Sequence, residues 1–229
     1  MNRSTPRSRR IASRWAVGAL ALLLQGAALA HEAPAQKPGF TPPAAGTYRL
    51  ERIMPAPDGN VVDAAGQRSR LAAYTTGKVT LLSLMYTACS DETGCPVAFY
   101  SIASIRRTLE KSAAAHGRVQ LVSMSFDPDN DTPEVMRAYG GSQAGGRVGV
   151  PWHFLTTESR RELAPLLAGF DQDVSRPRAA GPSQDLLHVL KLFLIDRRGW
   201  VREIYTASYL APAMVVNDIR TLLMEDGAL

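Results

Sequence analysis

The sequence predicts an α/β domain with a central mixed sheet, helices on both faces and a β-hairpin at its N-terminal side. Three observations predict it. Apolar runs without alternation recur at 78–86, 119–126 and 187–195, as expected of strands buried on both faces. Stretches with apolar residues three and four apart stand between them, so strands and helices alternate. Asp196-Arg197-Arg198-Gly199 then folds the last apolar run back on 200–205, adding antiparallel strands. The chain has no internal repeats.

The first 30 residues read as a targeting segment. Arg3, Arg7, Arg9, Arg10 and Arg14 stand without an acid among them, an apolar run follows at 15–24, and Ala28-Leu29-Ala30 offers a small-x-small cleavage site. That is a secretory signal peptide, the alternative being an uncleaved N-terminal anchor; the apolar run is short for a membrane span. Without those five arginines the basic count falls from 26 to 21, equal to the 21 acids. The basic pI therefore belongs to the leader, and the charge balance predicts no nucleic-acid surface. Residues 31–46, rich in Pro and Ala, read as a flexible tether to one domain at 47–229.

Within that domain, 47–53 is a strand candidate, Pro55 to Asn60 a turn, and Val61-Val62 the return, which together predict an edge hairpin. Leu71-Ala72-Ala73-Tyr74 is ambiguous. The strand at 78–86 leads through the cysteine loop to a helix that Pro96 can begin and that runs to about Ala115, with Ala98, Ile102, Ile105 and Leu109 as its stripe. His116 and Gly117 end it, and His116 suits a dipole or solvent role there. After the strand at 119–126, Asp131 or Thr132 is a natural N-cap, with Pro133 and Glu134 in the first turn. That account leaves Asp127 unexplained, either as a strand end or as a group facing the cysteine loop. Residues 140–149 are a flexible loop and 152–155 a short strand. Ser159 with Glu162 forms a capping box for a helix carrying Leu163, Leu166 and Leu167 and ending near Gly169. A loop at 171–183, the strand at 187–195 and a terminal helix at 212–224 complete the chain.

Cys89 and Cys95, the only cysteines among 229 residues, sit in the loop between a central strand and a helix. A helix N-terminus is electropositive and favours thiolate, the form that attacks disulfides and binds metals. A bridge closing so short a loop would constrain the unfolded chain little, so the pair reads as a redox or metal pair and not as a staple. With His188 they make a soft donor set that suits copper, above all Cu(I), and can also hold zinc. The scattered methionines read as core residues.

Three motifs in order carry a family resemblance: Tyr86-Thr87-Ala88-Cys89 with Cys95-Pro96, the acidic segment from Ser125 through Asp127, Asp129, Asp131 and Pro133 to Val135, and His188 before an apolar strand with Asp196 and Gly199. Together they resemble the Sco/SenC family of exported copper proteins. The likeness spans about 48–223. It implies a thioredoxin-like fold and one copper, Cu(I) or Cu(II), held by Cys89, Cys95 and His188. It also implies delivery of that copper to the binuclear centre of cytochrome c oxidase subunit II, or to another acceptor. Some members resemble thiol-disulfide reductases, which implies a thiol reductant such as a thioredoxin-like protein as a further partner.

One departure stands out. The family pattern has three residues between the cysteines, with a proline after the first; here five intervene, and Ser90 takes the proline's place. A longer loop is less preorganised for a metal. Asp91 and Glu92 add negative charge that opposes the helix dipole. The same loop favours disulfide formation, so the alternative is a thiol-disulfide oxidoreductase with Cys89 and Cys95 as its redox pair. A peroxidase and a purely structural disulfide rank below these.

Overall fold

The computed structural model describes residues 41–89, 94–144, 149–175 and 186–227. The expected signal peptide at 1–30, most of the tether and the middle of the cysteine loop lie outside the described residues.

Among the described residues, ten strands and five α-helices follow in chain order: β1 (Met54–Pro55), β2 (Asn60–Asp63), β3 (Arg68–Arg70), α1 (Ala72–Thr75), β4 (Val79–Met85), α2 (Cys95–Leu109), β5 (Val119–Ser125), α3 (Pro133–Gly140), β6 (Trp152–Thr156), α4 (Arg160–Gly169), β7 (Val174–Ser175), β8 (Leu187–His188), β9 (Lys191–Ile195), β10 (Trp200–Thr206) and α5 (Pro212–Glu225). Eight strands form one sheet in the order β1-β10-β9-β4-β5-β6-β2-β3, and β7 and β8 form a separate ribbon. β4 runs parallel to β5 and antiparallel to β9, so the sheet is mixed.

Every residue of β4 and β5 is buried. Successive strand side chains point to opposite faces, so both faces must be covered. On one, Trp152 stands beside Leu121 and Phe154 beside Ser123. There Phe99 of α2 packs 4.9 Å from the Trp152 ring, Tyr139 of α3 packs 6.2 Å from Phe154, and α5 lies against α2. On the other, His153 stands beside Val122 and Phe193 beside Leu82. Tyr74 of α1 meets His153 at 5.1 Å, and Phe170, just after α4, meets Phe193 at 4.6 Å. Each fully buried aliphatic or aromatic side chain contributes about 1.5–3 kcal/mol, so this two-sided core dominates the stability.

The caps follow the sequence. Thr132 accepts the Val135 N–H at 3.4 Å to start α3, and Ser159 accepts that of Glu162 at 3.3 Å to start α4. Asp196 accepts the N–H groups of Arg198 and Trp200 and pairs with Arg202, while Gly199 takes the positive φ of 82° that the β9–β10 turn requires.

Several boundaries differ. The edge hairpin joins β2 to β3, not 47–53 to 61–62; Met54–Pro55 pairs with β10 at the opposite edge of the sheet. The cause is local, because Asp63 accepts the N–H groups of Ala65 and Gln67 and turns the chain there. The end of the expected tether is docked on α5, with the Gly46 N–H donating to Thr221 and the Asn217 side chain donating to the Pro43 carbonyl. Asp58 accepts the Ala72 N–H, and Leu71 to Tyr74 resolves as the start of a short helix. α2 ends at Leu109, short of Ala115. The apolar run at 187–195 is two strands, β8 in the ribbon and β9 in the sheet.

Candidate metal centre

β4 and β5 are parallel, so both release their chains at one end of the sheet; β9, antiparallel to β4, enters at that same end. The cysteine loop, the acidic segment and the His188 ribbon therefore meet there, as open α/β sheets bring functional loops together.

Cys95 is the first residue of α2 and only 2% exposed. Its Sγ lies 4.0 Å from His188 Nε2, across 93 residues of sequence. His188 Nδ1 donates to the Leu186 carbonyl at 3.0 Å. A carbonyl only accepts, so Nδ1 donates there and Nε2 is the nitrogen that faces the sulfur. The imidazole is walled by Phe126, 4.9 Å away, and by Tyr86, edge-on at 5.6 Å. Metal–thiolate and metal–imidazole bonds of about 2.3 and 2.0–2.1 Å span such a pair without moving either element.

Cys89 is half-buried and packs against the core. Among the described residues no three His, Cys, Asp or Glu side chains converge on one metal position. The structure thus brings Cys95 and His188 together and leaves Cys89 outside a three-ligand cluster, while residues 90–93 lie outside the described residues.

The acidic segment divides its work. Asp131, expected as a possible cap, leaves that role to Thr132. It is 1% exposed and accepts the Thr87 N–H at 3.0 Å, the Thr87 hydroxyl and the Ser125 hydroxyl at 2.5 Å, tying the cysteine loop to the end of β5. Asp127 is buried, accepts from Asn130 at 2.7 Å and faces Arg160 at 4.0 Å. It lines a cavity of about 190 Å3 with Phe126, Leu163, Val174 and Leu186. His116 binds the Glu110 carbonyl through Nε2 at 2.9 Å, near the end of α2.

Tyr139 was not singled out in the sequence. Burial, then the charges of Cys95, Cys89 and Asp131, hold its phenol protonated well above the usual range, so it is within electrostatic reach of both thiols. Tyr86, which opens the cysteine motif, has a role that the motif does not state: its hydroxyl accepts the Leu186 N–H at 3.2 Å. Neither contact has a sequence signal, because both join segments far apart in the chain.

The family model described as SCO1/SenC matches residues 58–224. The SCO1 protein homolog of Bacillus subtilis is 24% identical over 147 residues, 63% of this chain and 71% of that protein. ScoI of Bradyrhizobium japonicum, solved with copper bound, superposes with a TM-score of 0.59 at 22% identity, covering 73% of this chain and 98% of that one. Apo Sco1 of Thermus thermophilus, solved in solution, gives 0.63 at 25% identity over 80% and 99%. The fold is the thioredoxin-like fold of these Sco structures, and this chain belongs to the SCO1/SenC family.

Proposed function

We propose that this chain is an exported copper-binding protein that passes copper to the binuclear centre of cytochrome c oxidase subunit II or to another acceptor. Cys89, Cys95 and His188 are its ligands. The observation that carries the reading is the Cys95–His188 pair: a sulfur at a helix N-terminus facing the imidazole Nε2 at 4.0 Å. It stands in a chain of the SCO1/SenC family, and the Bradyrhizobium relative has been solved holding copper. Thiolate sulfur selects Cu(I), and imidazole serves either oxidation state. The leader at 1–30 supports export, as a cleaved signal peptide or as an anchor. Among the described residues no helix is long and apolar enough to cross a membrane.

The test is anaerobic Cu(I) titration of reduced, signal-free protein against a competing chelator, with Cys89→Ser, Cys95→Ser and His188→Ala alongside. One tight copper per chain, weakened in each variant, is expected. Copper affinity and spectrum unchanged in His188→Ala would sink the three-ligand site.

The inequality of the two thiols favours a second reading, thiol-disulfide exchange. Cys89 is half-buried and Cys95 fully buried. Cys89 thiolate attacks a partner disulfide, forming a mixed disulfide and releasing one partner thiolate. Cys95 thiolate then attacks the Cys89 sulfur, releasing the second partner thiol and leaving Cys89–Cys95 oxidised. A thioredoxin-like reductant restores the dithiol. Cys95→Ser should trap the mixed disulfide, and failure to trap a partner with either single-cysteine variant rejects the reading.

A further inference from the structure

His188 sits on a ribbon two residues wide in each strand, outside the main sheet. A two-stranded ribbon is marginal alone and cannot fix a side chain by its own ladder. Two buried side chains grip it on either side of the histidine. Tyr86, 2% exposed at the end of β4, accepts the Leu186 N–H at 3.2 Å. Gln172, 4% exposed, donates to the Val189 carbonyl at 3.2 Å. Leu186 is also the residue whose carbonyl takes the His188 Nδ1 proton. Its N–H thus belongs to Tyr86 and its C=O to His188.

We propose that the Tyr86 hydroxyl is a positioning group for His188. By holding the Leu186 N–H it sets where the Leu186 carbonyl stands, and that carbonyl selects which imidazole nitrogen carries the proton. The outcome is a bare Nε2 aimed at Cys95 Sγ, the form in which imidazole serves as a metal ligand. The Tyr86 ring, at 85° to the imidazole, adds a wall that limits its rotation. Gln172 completes the grip from the far side. The metal significance rests on the copper reading above; the positioning itself does not.

The experiment is long-range 1H–15N correlation on the histidines of reduced, metal-free, signal-free protein, which reports the tautomer of His188 directly. His188 is expected as the Nδ1–H form in the wild type. In Tyr86→Phe, which keeps the ring and removes one oxygen, the ratio of Nδ1–H to Nε2–H should fall by about 3- to 10-fold, the span that one net hydrogen bond corresponds to. Tyr205→Phe removes another buried hydroxyl, bonded to Asp218 at 2.7 Å, and should leave His188 unchanged. Gln172→Met should move His188 in the same direction and serves in place of Tyr86→Phe if that variant does not fold. A His188 tautomer ratio unchanged in Tyr86→Phe, or shifted equally in Tyr205→Phe, overturns the proposal. Because no metal is present, a chain that binds no copper can still pass this test, and one that binds copper can fail it.

Discussion

Asp131 accepts the backbone N–H of Thr87 at 3.0 Å across 44 residues of sequence. The same carboxylate takes the Thr87 and Ser125 hydroxyls, so one buried acid fixes the exit of β4, the end of β5 and the chain two residues before Cys89. Hydrogen bonds to a charged group contribute about 1.5–3 kcal/mol each, and removing their shared acceptor strands buried donors. Asp131→Ala should therefore cost about 3 kcal/mol or more in urea unfolding, and Asp131→Asn less. A loss below about 1 kcal/mol would show that the loop start is held by something else.

The two thiols should label at different rates. Cys95 is 2% exposed, so a reagent reaches it only through local opening. Burial decides the order, since a bulky maleimide cannot react with a sulfur that it cannot approach. Native labelling should modify Cys89 at least about tenfold faster than Cys95, a difference abolished in denaturant. Equal native rates would mean that the start of α2 opens freely.

Gly140 ends α3 against the Phe154 ring. An added Cβ would lie 2.8 Å from two ring carbons. Ala is favoured over Gly in a helix by about 1 kcal/mol, whereas overpacking a core costs about 1–3 kcal/mol. Gly140→Ala should be destabilising by about 1 kcal/mol, measured by chemical denaturation. A neutral or stabilised variant would show that Phe154 can give way.

His153 supplies a pH dependence. Burial against Tyr74, then the Lys78 charge, pushes its imidazole pKa below the usual value. Below about pH 6.5 the unfolded chain takes up a proton that the folded chain resists, so stability is full above that pH and lost as pH falls toward the lowered folded value. Urea midpoints between about pH 5 and 7.5 should decline on acidification, and His153→Gln should flatten the slope. An unchanged slope would assign the acid sensitivity to other groups.

Much of this could be read from sequence because it rests on short-range rules. The lack of polar–apolar alternation in 79–85 places β4 in the middle of the sheet, Thr132 and Ser159 cap the helices that they precede, and Asp196 with Gly199 closes the last hairpin. The split of 187–195 into ribbon and sheet was not legible, because both parts are apolar and only pairing with Val174–Ser175 separates them. Asp131 looked like a cap because local spacing cannot see Thr87. The hold of Tyr86 and Gln172 on the ribbon gave no signal for the same reason, since each acts through a backbone group on a distant segment.

The central position of β9, between β10 and β4, gives the site a chronology. The chain releases Cys95 from the first half of the domain, but its imidazole partner comes 93 residues later, just before a strand that must be inserted beside β4. Domains made from the N-terminus can collapse early around their first elements. Until β9 seats, the thiol at the head of α2 has no histidine facing it. Pairing of Cys95 with His188 therefore comes late in chain order, because His188 leads directly into β9.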